Sequence, residues 1–460
     1  MSDQVGDPSA QRVREAPAGP DDDRVDGLAD PVDAPAANPA PGTDQPGRRG
    51  GLSRRRLLGW TGAGVALAGV GAAAGYAVGT PAAAPNPGGV VPFRGPHQAG
   101  IITPAQDRLH FVALDVTTTD PAQVRALLRK WTAAAERMVA GAETTPGGAV
   151  NLNPDAPPTD TGEALGLTAA NLTLTFGVGA SLFDKLGLGA LKPPGLAELP
   201  RFTGDQIDPA LSGGDLCVQA CADDPQVAVH AVRNLIRMGF GVTAVRWSQL
   251  GFGRTASTSV AQATPRNLFG FKDGTHNVKA EEPAELAEHV WTRPGDGPSW
   301  LDGGTYLVAR RIRMHIEIWD RTSLSEQERL VGRSKGVGAP LGGIDEFDLA
   351  DYTALRPDGL PVIDVNAHIR LASAQNLGGV RILRRGYNFV DGSDGSGHLN
   401  AGLFFLAFMR DPHRQFVPMQ RALANQDEMM EYLEHTGSAV FACPPGLAEG
   451  AYWGQALLES

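Results

Sequence analysis

The sequence predicts an α+β protein made of two ferredoxin-like halves, and three observations carry that prediction. Four apolar, alternating segments at 109–116, 172–178, 215–220 and 242–247 read as strands. Two segments with helical spacing, 121–139 and 225–238, separate them so that the order is strand–helix–strand–strand–helix–strand. After a loop-rich stretch the pattern partly recurs, with strands at 304–319, 381–390 and 403–409 and helices at 325–333 and 414–424.

Each element has a local reason. In 109–116 (LHFVALDV) the alternation gives a sheet one apolar face, and 172–178 and 215–220 repeat it. In 121–139 the residues Val124, Leu127, Leu128 and Trp131 fall on one helical face. Runs of strands with helices packed on one side make an antiparallel α+β sheet. The halves are assigned to 98–275 and 276–460, after a linker at 85–97.

Composition narrows the function. Hydrophobic residues make up 42% and charged residues 20% of the chain, the balance of a globular protein. With a formal net charge of -11 and no Lys/Arg cluster in the body, no nucleic-acid partner is expected. The 3 cysteines form no disulfide framework. Cys217 and Cys221, four apart on an alternating strand, share a face and read as buried thiols.

The N-terminal region is about address. Residues 1–50, rich in Pro, Gly, Ala and Asp, lack the apolar periodicity a core needs and are expected to be disordered. In 51–84, Arg54, Arg55 and Arg56 precede an uncharged stretch at 57–79 and the small-residue run Pro81-Ala82-Ala83-Ala84. That pattern matches a twin-arginine export signal, which delivers a folded protein outside the cytoplasmic membrane. The alternative is retention as an uncleaved anchor, since the stretch is long enough to span a bilayer.

Three segments can do chemistry. Asp273, in Gly270-Phe271-Lys272-Asp273-Gly274-Thr275, is either an acid–base group beside an apolar cavity or part of an Asp-Gly turn. His368, in His368-Ile369-Arg370-Leu371-Ala372, is either a satisfied polar group or a neutral imidazole able to ligate iron. In the run Arg381 to Tyr387 the arginines, Arg384 and Arg385 included, sit in an otherwise apolar strand and need an anion to offset their desolvation, either at a functional site or in a salt bridge on a strand edge.

Together the three strings, GFKDGT, HIRLA and RRGY in that order, resemble the dye-decolourising peroxidases. The likeness extends through His97 to Ile101, Trp319 to Thr322, Gly332-Arg333, Gly338 to Gly342 and Gly402 to Phe405, and so covers about 98–457. It is similar to the exported deferrochelatase/peroxidase branch linked to iron uptake. The resemblance implies a dimeric α+β barrel with one b-type haem held mainly by the C-terminal half. It implies His368 as the proximal ligand, Asp273 as the distal acid–base residue, and Arg384 as its partner beside the haem. Leu403 and Phe405 would line the distal cavity, and Gly274, Thr275, His276, Ser373, Ala374 and Gln375 would touch the haem.

The activity so implied is reduction of hydrogen peroxide with one-electron oxidation of a small aromatic reductant such as a phenol or dye. An aspartate in water titrates near 4, so turnover is expected to favour acidic pH. Large substrates would need surface radical sites, for which Tyr306, Tyr352, Tyr387, Trp291, Trp300, Trp319 and Trp453 are candidates. The alternatives are a deferrochelatase that takes iron from haem and leaves the porphyrin intact, and a non-enzymatic haem or iron carrier of the cell envelope. Expected partners are the twin-arginine translocation machinery, iron-transport proteins and a second copy in a homodimer.

Overall fold

The computed structural model describes residues 89–151 and 153–459, so the expectations for residues 1–84 lie outside it. The first half runs β1 (Arg108–Val116), α1 (Pro121–Val139), β2 (Thr173–Gly179), α2 (Ala180–Lys185), β3 (Leu216–Ala222), α3 (Pro225–Met238) and β4 (Thr243–Arg254). The second runs α4 (Pro283–His289), β5 (Thr305–Met314), α5 (Ile316–Trp319), α6 (Leu324–Val331), α7 (His368–Leu371), β6 (Leu383–Arg384), β7 (Tyr387–Ser393), β8 (Leu399–Met409), α8 (Phe416–Gln426) and β9 (Leu433–Cys443).

Both halves carry the ferredoxin-like strand order. The first is β2-β3-β1-β4 and the second β9-β5-β8-β7, every pairing antiparallel. The halves join edge to edge, Val178 opposite Ala442 and Phe252 opposite Asn388, so the sheet closes on itself as a barrel. Its interior is aromatic. Phe111 stacks on Trp247 at 5.2 Å and meets the edge of Phe404 at 5.4 Å. Cys217 and Cys221 are free, buried thiols in that same cluster, as the strand alternation suggested, and Cys443 joins them there.

The two long helices use one device at their starts. Asp120 and Asp224 each accept a hydrogen bond from the backbone two residues on, and each is followed by proline at the first helical position. Val124, Leu127, Leu128 and Trp131 of α1 are buried, and the Trp131 indole donates to the Leu235 carbonyl of α3 at 2.8 Å. On β8, Phe404, Leu406 and Phe408 enter the barrel cluster while Leu403 and Phe405 pack with the clusters outside it. A one-residue slip would exchange these two faces.

Some elements differ from the sequence reading. The strand expected at 304–319 ends at Met314, after which α5 swings Trp319 into a cluster with Phe269 and Phe271. The strand expected at 381–390 is split at Arg385–Gly386, where the chain just past β4 crosses close: a Cβ on Gly386 would sit 2.7 Å from the Thr255 hydroxyl. The closing strand β9 was not expected, because His435, Thr436, Gly437 and Ser438 break its apolar alternation. Of the seven aromatic residues named as radical sites, only Tyr352 reaches solvent; the other six are 8% exposed or less.

Burial also sets an acid limit on stability. His110 and His435 each have an Nδ1 without a partner. Desolvation lowers His110 to about 4; desolvation, then the Arg310 charge, lowers His435 to about 3. The unfolded imidazoles bind protons from about 6.5 downwards, so the unfolded chain binds more protons than the folded one across this interval. Stability therefore falls as pH drops from about 6.5 to about 4 for His110, by roughly 3 kcal/mol at 1.36 kcal/mol per unit. Melting temperatures at pH 7, 5.5 and 4 should show a shallower decline in His110→Gln than in wild type; equal declines would remove His110 as the cause.

Candidate active site

The distal group is built by the segment 264–280, and glycines shape it. Gly270 (φ +82) closes a turn whose backbone N–H donates to Asn267 at 2.9 Å. Gly274 (φ +87) passes so near β4's extension that a Cβ would lie 2.9 Å from the Ala256 Cα. Just before Gly270, Phe269 stacks on Trp319 at 4.2 Å, and the Trp319 indole donates to the Phe269 carbonyl at 3.1 Å. The loop is thereby fixed, with Asp273 on its returning arm, where its backbone N–H donates to the Pro265 carbonyl at 2.9 Å. One Asp273 oxygen accepts from Arg384 Nη1 at 2.6 Å and the other from Asn267 Nδ2 at 3.2 Å.

Arg384 is placed by its backbone. The Asn277 side chain accepts from the Arg384 N–H at 2.7 Å and donates to the Arg384 carbonyl at 2.8 Å. Asn277 also donates to the Ser257 carbonyl at 3.0 Å, so one buried amide ties the Asp273 loop, β6 and the chain after β4 together. The anion expected for a strand arginine is present for Arg384 (Asp273) and for Arg381 (Glu285, 2.5 Å). It is absent for Arg385. That side chain is fully buried and donates to the Thr103 carbonyl and the Gln106 amide oxygen, because its neighbours offer neutral acceptors.

The proximal group centres on His368, the first residue of the one-turn α7. Its Nδ1 lies 2.6 Å from Asp427 Oδ2, and the other Asp427 oxygen accepts from the Met429 N–H at 2.9 Å. Asp427 is fully buried, whereas about a third of the His368 side chain is exposed, 32%. Desolvation lowers the His368 pKa, but the Asp427 charge and hydrogen bond outweigh it and the net shift is upward. Asp273 adds to the rise and Arg384 opposes it, so the distal and proximal groups share one electrostatic space. Arg329 of α6 braces the pair, bonding Asp364 at 2.7 Å just before α7 and Glu428 at 2.5 Å just after Asp427.

The remaining expected residues are placed as follows. Leu403 and Phe405 are half-buried on the outer face of β8. Gly274 and Thr275 are buried, and the Thr275 hydroxyl donates to Glu346 at 3.1 Å. His276 is exposed, its carbonyl accepting from Arg381 at 3.3 Å. Ser373 turns its hydroxyl back to the Arg370 carbonyl at 2.8 Å, Ala374 is half-buried and Gln375 is exposed. Sequence reasoning missed Asn267, Asn277 and Asp427. The first two flank the GFKDGT string, whereas Asp427 is remote in sequence and only the tertiary fold brings it to His368.

This arrangement can accept and return a proton at Asp273, hold a fixed positive charge beside it, and present the second imidazole nitrogen of a carboxylate-held histidine. Comparison with known proteins places the chain in a family. The Dyp-type peroxidase N-terminal family model matches residues 98–253 and the C-terminal model residues 264–448. The chain is 40% identical over 378 residues to the dye-decolorizing peroxidase of Thermobifida fusca, covering 79% of this chain and 84% of that one. It is 40% identical over 377 residues to the deferrochelatase of Escherichia coli K12, covering 80% and 87%. The structure of ferric DtpA from Streptomyces lividans superposes with a TM-score of 0.74 at 38% identity, covering 81% of this chain and 98% of that one. The chain belongs to the DyP-type peroxidase family.

Proposed function

We propose that this chain is a haem b peroxidase that reduces hydrogen peroxide and oxidises small phenolic or dye-like donors one electron at a time. The observation that carries the reading is His368, whose Nδ1 is held by the buried Asp427 at 2.6 Å, which leaves Nε2 as the nitrogen available to a ligand. A carboxylate behind the imidazole fixes the tautomer and makes the outer nitrogen a better donor, as a histidine that ligates iron requires. Half-exposed Leu403 and Phe405, with Asp273 and Arg384, provide the apolar wall and polar tip that suit a flat, largely apolar macrocycle. The residues therefore fit haem. The ferric state named for the S. lividans relative supports the same cofactor.

Haem, when bound, supplies the redox chemistry. Asp273 takes a proton from one peroxide oxygen and returns it to the other, directly or through one water. Arg384 holds Asp273 in place at 2.6 Å and opposes the negative charge that grows as the O–O bond breaks. Asn277 holds the Arg384 backbone while this happens. A carrier needs the His368–Asp427 pair but has no use for the Asp273–Arg384 pair, which favours the enzyme. The E. coli relative's name supports iron removal from haem as a second activity at this site; metal-free porphyrin fluorescence on supply of haem reports it. The arginine-led segment at 51–84 supports export by the twin-arginine route.

The test is the absorption spectrum of the haem-loaded protein before and after one equivalent of hydrogen peroxide, in wild type and His368→Ala. The Soret band should shift with peroxide in the wild type, and haem binding should weaken or change in the variant. Equal haem binding in both, with no response to peroxide, would reject the reading.

A further inference from the structure

The loops between Gly332 and α7 carry an apolar surface that the site chemistry does not use. Ile344, Phe347, Leu349, Leu355 and Leu360 are between 54% and 90% exposed. Single exposed apolar side chains are ordinary, but a continuous group of them marks a contact surface. These are grouped. The hairpin with Leu355 opposite Pro361 packs against the loop 340–349, where a Cβ on Gly342 would touch Val362 at 3.1 Å. The loops are also held in shape. Asp348 accepts from the backbone of Ile344 at 2.7 Å and of Asp345 at 2.9 Å, and Asp351 accepts from Thr353 at 2.8 Å.

The charge around this surface has one sign. Asp345, Asp351 and Asp358 are exposed and Asp348 is half-buried among the apolar residues, with Arg356 the only cation in 344–360. Backbone hydrogen bonds lower the pKa of Asp348, and the Thr353 side chain and backbone lower that of Asp351, so this charge persists well into the acid range. Such a rim repels a second copy of a chain whose formal charge is -11, and equally repels an anionic lipid surface. It attracts a protein whose apolar contact face is ringed by lysine or arginine.

The same surface is tied to both sides of the active site. The Tyr352 hydroxyl, from within these loops, donates to the Ile369 carbonyl at 3.1 Å, one residue from His368. The Arg370 guanidinium lies 5.8 Å from the Tyr352 ring centre. Glu346, buried between Ile344 and Phe347, accepts from Thr275 at 3.1 Å and from Lys272, on either side of Asp273.

We propose that this loop surface is the docking face for a one-electron donor protein with an apolar centre and a basic rim. The proposal rests on the peroxidase reading and names the class of its reductant. Each encounter delivers one electron, so two reduced donor molecules are oxidised per peroxide: one hydrogen peroxide, two electrons and two protons from solvent give two waters. Tyr352 provides the bonded route from the docking face to the turn that carries His368.

The probe is ferrocytochrome c of the lysine-rimmed mitochondrial type, given to the haem-loaded full chain with hydrogen peroxide. Its oxidation should be peroxide-dependent, with kcat/KM falling roughly tenfold or more from low to high salt, as steered association does. Titration calorimetry with the ferric cytochrome should detect a salt-sensitive complex. Two double variants, Phe347→Ser/Leu349→Ser and Asp345→Asn/Asp358→Asn, should each lower kcat/KM for the cytochrome by about tenfold or more. Both should keep wild-type turnover of a small phenol. No complex and no cytochrome oxidation, alongside normal phenol turnover, overturns the docking face alone. A wild type without phenol turnover overturns the peroxidase reading beneath it. A dimer in light scattering that dissociates in the apolar variant assigns the surface to a second copy and also overturns the proposal.

Discussion

Asp273→Asn is expected to slow peroxide consumption by roughly 10²–10⁴-fold, the range that a positioned acid–base group contributes. The amide keeps the shape and an oxygen for Arg384, now 2.6 Å away, but it cannot take up a proton at working pH. Haem content and melting temperature should stay near wild type, since Asp273 is held from its own loop by Asn267 and lies apart from His368's support. Arg384→Leu should cost a similar amount, and the double variant little more than either single one, because the two act as a unit. Stopped-flow measurement of peroxide loss, at matched haem occupancy, decides it. Undiminished turnover in both single variants would mean that protons move by another route.

The second large effect is expected at Asp427. Asparagine there preserves the cap on Met429 but removes the charge that faces His368 at 2.6 Å. Loss of such a partner typically costs 10–100-fold in affinity or activity, and haem retention should fall by that order. A less basic imidazole also stabilises the oxidised metal less, so the midpoint potential should rise. A merely structural role would lower the melting temperature and leave the potential of the folded fraction where it was. An unmoved potential would therefore assign Asp427 to packing alone.

How much of this was legible beforehand depended on whether the signal was local. Strands such as β1 announce themselves by alternation, β8 by a continuous apolar run, and α1 and α3 by an apolar stripe behind an Asp-Pro start. Asp273, His368 and Arg384 each had an ordinary structural reading when taken alone, and their roles came from the resemblance of the three strings around them to a known family; the fold brings Asp273 and Arg384 into direct contact across the chain. What escaped was set by tertiary context. β9 is half polar and reads as loop until its two neighbouring strands are known. Arg385 was expected to need an anion, yet carbonyls contributed by distant segments satisfy it. Asp427 looks like any helix-capping aspartate until the histidine it supports is placed beside it.

The closing strand has a consequence for how the molecule is made. β9 pairs with β5 of its own half and with β2 of the other, at Val178 opposite Ala442. During synthesis the first half can assemble early, but its β2 edge then waits, with unpaired backbone groups, for a strand that follows every other strand of the barrel off the ribosome. Contacts this distant in sequence form slowly. Until they do, the nascent chain carries an open edge that invites pairing with its neighbours. Ribosome-bound and C-terminally shortened chains are thus the forms most in need of a chaperone's cover, and the finished barrel has no such edge to protect.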